Sequence, residues 1–85
     1  MSDTKTYTAD GFDDAIIGIE TKGEVPRVVY SVDLMIKSLC DNHGWSMDEA
    51  IDFINYNVIG SYLGEGMPLY VHTMTAEEVH DYLSD

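Results

Sequence analysis

Ser46-Met-Asp-Glu-Ala-Ile-Asp-Phe-Ile-Asn-Tyr-Asn-Val-Ile-Gly-Ser-Tyr-Leu63 is the longest periodic segment of the chain, and its reading decides the fold. Ser46 with Glu49 three residues later is a capping box, in which each side chain satisfies a backbone N–H that a helix start leaves free. Met47, Ala50, Ile51, Ile54, Val58 and Tyr62 then recur at helical spacing as one stripe to be buried. Asp48 and Asp52 project on the other side. Ile59 and Leu63 fall on the Asp52 side, so the second half of the segment is apolar on two faces. The sheet, a loop or another chain has to cover it. Gly60 inside a helix costs about 1 kcal/mol relative to alanine. Either a close backbone contact offsets that cost or the helix ends there.

Immediately upstream, Ser31 reads as an N-cap with Asp33 in the first turn, where the helix dipole favours an acid. Val32, Met35, Ile36, Leu39, Cys40 and His43 share a stripe opposite Lys37 and Asp41. Gly44 suits the left-handed residue that closes such a helix, and Trp45 at the corner is expected to pack beneath both helices. Before this pair, Ala15–Ile19 and Val25–Ser31 are β-prone runs around Lys22-Gly23, which reads as a hairpin. Pro26 belongs at the start of its strand or on an edge, and Gly18 marks a bulge or a close helix contact. Asp10-Gly-Phe-Asp-Asp14 reads as a turn, since it lacks the alternating ligands and terminal Glu of a calcium loop.

Downstream, Gly64-Glu-Gly-Met-Pro68 is a loop with Gly64 as a second C-terminal cap, and Leu69–Thr73 a third strand. Thr75-Ala-Glu-Glu78 is another capping box, opening a short helix with Val79, Tyr82 and Leu83 inward. The order β-β-α-α-β-α predicts an α+β domain, with a small, mainly antiparallel three-stranded sheet packed on a helical pair. Residues 1–12 are expected to form a flexible N-terminal segment and 13–85 the single domain. A chain of 85 residues has room for one modest core, helped by a partner or by self-association as a homodimer.

Charge narrows the function classes. Sixteen acids face four bases for a net charge of −12, and Lys5, Lys22, Arg27 and Lys37 all precede residue 38. Such a field repels nucleic acid and anionic lipid, so no direct nucleic-acid or membrane binding is expected. It attracts a basic protein surface; its plainer role is to maintain solubility. The N-terminus lacks the apolar stretch of a secretory leader, and no apolar run approaches the ~20 residues that span a bilayer. The single cysteine, Cys40, precludes an internal disulfide and suits a reducing cytosol.

Candidate chemistry is sparse. Cys40 and His43 are three apart on a helix, but Cys40 falls on the apolar stripe, where cysteine acts as a small hydrophobe. His43, His72 and His80 lack metal-ligand spacing. Asp13-Asp14 and Glu77-Glu78 read as solvated acids, the latter serving a helix dipole. No catalytic residue, metal or cofactor is assigned. What remains is a surface of Asp48, Glu49, Asp52, Tyr56, Ile59 and Leu63, with apolar anchors beside an acidic rim, suited to protein binding.

Asp14-Ala-Ile-Ile-Gly18 and Asn57-Val-Ile-Gly-Ser-Tyr-Leu-Gly-Glu-Gly-Met-Pro68 resemble a family of small tailed-bacteriophage proteins, marine phages included. In that family a DAIIG strand precedes an acidic EEAIE-type helix running into NVIGxYxGExxP. Asp48-Glu-Ala-Ile-Asp52 matches the middle element, so the resemblance covers most of residues 13 to 72. It implies a phage origin, expression in a host bacterial cytoplasm and nothing catalytic. The expectation is a non-enzymatic accessory protein that binds and modulates a basic host protein, in its sharpest form as a nucleic-acid mimic. The alternatives are a self-assembling virion-associated component and a small metal- or thiol-dependent enzyme.

Overall fold

Ser31 and Ser46 start the two central helices as the sequence places them. Ser31 Oγ accepts from the Leu34 N–H at 3.2 Å and opens α1, Val32–His43. Gly44 closes it with φ 68°, a left-handed conformation in which a Cβ would be strained. Ser46 Oγ accepts from the Glu49 N–H while Glu49 Oε1 accepts from the Ser46 N–H, and this box opens α2, Met47–Ile54. The computed structural model describes residues 5–60 and 64–84.

The fold is α+β. β1, Ile16–Glu20, pairs antiparallel with β2, Arg27–Ser31, and β3, Leu69–Val71, lies parallel to β2 on its other side. The sheet is therefore mixed, with order β1-β2-β3. The parallel pair is joined by a crossover through α1 and α2, long enough for the chain to return and begin β3 in the same direction. The register slips between Ile16 and Gly18, which leaves Ile17 as the extra residue of a bulge with Gly18 beside it, paired to Val29. A Cβ on Gly18 would meet nothing within 4 Å, so close helix packing is not its reason. Pro26 stands just before β2, where its missing N–H costs no ladder bond.

One core joins the layers. Phe12, Ala15, Tyr30, Met35, Leu39, Ala50 and Ile54 are buried together, with Ile36, Cys40, Trp45, Phe53, Val58 and Tyr70 packed around them. Ala50 and Ile54 are the buried stripe of α2. Met47, expected on that stripe, is exposed: it sits at the first turn, beside Ile36 and Cys40 at the rim of an open hollow. After Ile54 the helix widens into a π-turn, Asn55–Ile59, in which the Gly60 N–H donates to the Asn55 carbonyl at 3.1 Å. Gly60 ends the helix, and its place is tight, since a Cβ would lie 3.0 Å from the Asn55 oxygen. Tyr62 and Leu63 lie outside the described residues.

The N-terminal stretch, expected to be a flexible segment, makes specific contacts from Lys5 onward. Thr6 Oγ1 donates to the Pro26 carbonyl at 2.7 Å, the Tyr7 N–H to Gly66 O at 2.9 Å, and the Ala9 N–H to the Tyr30 hydroxyl at 2.8 Å. Arg27 Nε donates to Met67 O at 2.8 Å and holds the same loop from below. A turn at Asp10-Gly11 then delivers Phe12 to the core, ahead of a 3-10 turn at Asp13–Ala15.

Tyr70 stacks on Tyr30 with ring centroids 5.7 Å apart. Burial, and secondarily the neighbouring Tyr30 phenol, hold the Tyr70 phenol above the usual tyrosine value of 10.0. Because the folded state holds this proton more tightly, the contribution is full below the unfolded value and is lost as pH rises through the folded one. Stability is expected to fall as pH climbs past about 10, and Tyr70→Phe should flatten that alkaline limb in urea titrations. An unchanged limb would contradict this origin.

Candidate functional site

The outward side of α2 combines three of the six sequence-predicted residues in one place. Glu49, Asp52 and Tyr56 follow at i, i+3 and i+7, so they share a helical face. Together with Trp45, Phe53 and Asn57 they line an open depression of ≈ 490 Å³. Tyr56 is 83% exposed beside the half-buried Trp45 and Phe53. Asp48 is exposed but lies outside the depression, and Ile59, 38% exposed, does not line it either. Leu63 lies outside the described residues.

Trp45, Phe53 and Asn57 are the lining residues that the periodicity argument missed. Trp45 is half-buried at the corner, packed against the core and touching both helices, with His43 of α1 at 5.3 Å and Phe53 of α2 at 5.2 Å, edge-on. Phe53 follows Glu49 at i+4 and precedes Tyr56 at i−3, and that spacing was the available signal. Asn57 donates through Nδ2 to the Phe53 carbonyl at 3.2 Å, inside the π-turn region. Widened turns of this kind occur frequently at functional sites, because they turn side chains out of the regular helical phase. A second hollow, ≈ 340 Å³, continues past Phe53 and Asn57 to Val58, Tyr70 and the Thr8–Asp10 stretch.

The electrostatics are one-sided. Glu49 shares its carboxylate with the helix start, while the Asp52 carboxylate makes no hydrogen bond or ion pair among the described residues. Lys37 is paired with Asp41 at 2.6 Å, and that hydrogen bond, then the charge behind it, keeps its ammonium above the usual lysine value. The pair is fully solvent-facing and contributes little to stability. It nevertheless removes one of four bases from those free to offset the acids.

Elsewhere the polar residues are dispersed. His43 lies against Trp45, His72 Nδ1 is 3.8 Å from Asp33, and His80 belongs to the C-terminal helix, so the three histidines occupy three regions. Among the described residues, no group of three or more His, Cys, Asp or Glu is placed to hold a metal ion. Cys40 is half-buried beside Ile36, Asp33, Lys37, Asp41 and Met47. Among the described residues, no helix is long and apolar enough to cross a membrane.

The last helix, α3, Ala76–Leu83, corrects one expectation. Its capping box forms, but Val79, Tyr82 and Leu83 are exposed and no residue of the helix is buried. No protein-family model, curated protein or solved structure matches the chain.

Proposed function

We propose that the chain is a non-enzymatic phage accessory protein, acting in the host bacterial cytoplasm, that binds a host protein with a basic surface and modulates it. The observation that supports this reading is the α2 depression, where exposed Tyr56 and half-buried Trp45 and Phe53 are edged by Glu49 and Asp52. Aromatic anchors with a charged rim are what protein interfaces concentrate, and acids on the rim accelerate encounter with a basic patch. Nucleic-acid mimicry is the sharpest form of the reading. It rests on acids other than Glu49 and Glu78, whose carboxylates are tied back to their own helix starts.

Affinity capture from host lysate at low and high salt tests it. Tyr56→Ala should weaken the recovered complex by roughly 30-fold, as loss of an aromatic anchor does. Asp52→Lys should also weaken it and flatten its salt dependence. Both positions are solvent-facing, so unfolding free energies should stay within about ±0.5 kcal/mol of the parent. No partner, or one whose affinity ignores salt, sinks mimicry. A second reading, a self-assembling virion-associated component, is favoured by exposed Ile16, Ile17 and Ile19 on the edge strand β1. Sedimentation showing only monomer removes it.

A further inference from the structure

The hollow beside α2 gathers three aromatic rings and two carboxylates. Glu49, Asp52, Phe53 and Tyr56 follow at i, i+3, i+4 and i+7, so one side of the helix carries all four. Trp45 joins them from the corner ahead of α2, its ring edge-on to Phe53 at 5.2 Å. An aromatic face is electron-rich and a carboxylate is anionic, so both favour a cation in the space they share. None of the residues lining the hollow is a base. The chain's own bases lie elsewhere. Lys5 sits over the Tyr7 ring at 5.1 Å, Arg27 Nε donates to Met67 O, Lys37 pairs with Asp41, and Lys22 belongs to the β1–β2 connection.

Charge and shape together select the occupant. An apolar side chain laid on the rings would desolvate Asp52 without a counter-charge, which is costly. An ammonium would answer the charge, but it is compact and strongly hydrated. A guanidinium is planar and weakly hydrated; it stacks on aromatic faces and offers paired N–H donors that match a carboxylate. The Asp52 carboxylate makes no hydrogen bond or ion pair among the described residues, whereas one oxygen of Glu49 already accepts from the Ser46 N–H. We infer that the hollow receives one arginine side chain of the partner protein, its guanidinium stacked among Trp45, Phe53 and Tyr56 and paired with Asp52. The inference rests on the α2 depression being the contact surface of the proposed function, and it names the group that this surface reads.

The test follows the indole N–H resonance of Trp45, the only tryptophan of the chain. The full chain is titrated with acetyl-arginine-amide at constant ionic strength. The shift should saturate with a Kd on the order of 1–10 mM, as suits a single exposed group. Acetyl-citrulline-amide, equally planar but uncharged, should bind about tenfold more weakly or not at all, and acetyl-lysine-amide about threefold more weakly. Asp52→Asn and Tyr56→Leu should each weaken arginine about threefold. Asp81→Asn, which removes the same charge outside the hollow, should leave it unchanged. No saturable shift, citrulline or lysine binding as tightly as arginine, or an equal loss in Asp81→Asn overturns the inference. If Tyr56→Ala still weakens the complex captured from lysate, the α2 reading survives that failure. Saturable arginine binding without any captured protein fails the reading of a host partner and keeps the arginine site.

Discussion

Ile54→Ala is expected to destabilise the protein by about 2–5 kcal/mol, the range for truncating a fully buried aliphatic side chain. Ile54 is 1% exposed and lies where α2 gives way to the π-turn, in contact with the common core. A domain of this length holds on the order of 4–13 kcal/mol in total, so this one change removes a large share. Urea titration should show the midpoint falling with the slope preserved. Ile59→Ala is the internal control: at a half-open position five residues on, it should cost less than about 1 kcal/mol. Equal losses at the two sites would mean that the widened turn does not set which side faces the core.

Gly66→Ala should be the other severe change, for a steric reason. Gly66 is buried, and a Cβ built there overlaps the Lys5 carbonyl oxygen and lies 2.7 Å from its carbon. The obstacle is backbone, so no rotamer change relieves it. Either the N-terminal stretch lifts away, losing the Tyr7–Gly66 and Thr6–Pro26 hydrogen bonds, or the 64–68 loop moves. Overpacking of this kind costs about 1–3 kcal/mol, which lowers Tm by roughly 5–20 °C for a chain of this size. Hydrogen exchange separates the two routes: both free the Tyr7 amide, but only lifting away also loosens the Ala9 amide, whose acceptor is the Tyr30 hydroxyl. An unchanged Tm would show that the contact is absent in solution.

The contrast between these sites shows what could be read from residues alone. The starts of α1, α2 and α3 were legible because capping is local: a hydroxyl, joined in α2 and α3 by a carboxylate three residues on, satisfies N–H groups in the same turn. The hairpin and the Gly44 terminus were legible for the same reason. Beyond that range the signal weakens. Amphipathicity showed that Val79, Tyr82 and Leu83 form a side, yet not that this side stays exposed. A wheel of fixed 3.6-residue period could not anticipate the π-turn, and so treated residues after Asn55 as continuing the earlier phase. Of the candidate site, Glu49, Asp52 and Tyr56 were found and Trp45, Phe53 and Asn57 were not, since only the fold turns the latter toward the same hollow.

The contact of Tyr7 with Gly66 also bears on the order of events in folding. It joins positions 59 residues apart, so its loop-closure cost falls only after most of the chain is in place. The β1–β2 hairpin and the two capped helices are local by comparison and suit an early nucleus. Contacts made after the rate-limiting barrier influence unfolding rather than refolding. Gly66→Ala should therefore speed unfolding while leaving the refolding rate nearly unchanged. The latch at the N-terminus is thus a determinant of how long the native state lasts, and the core of how quickly it is reached.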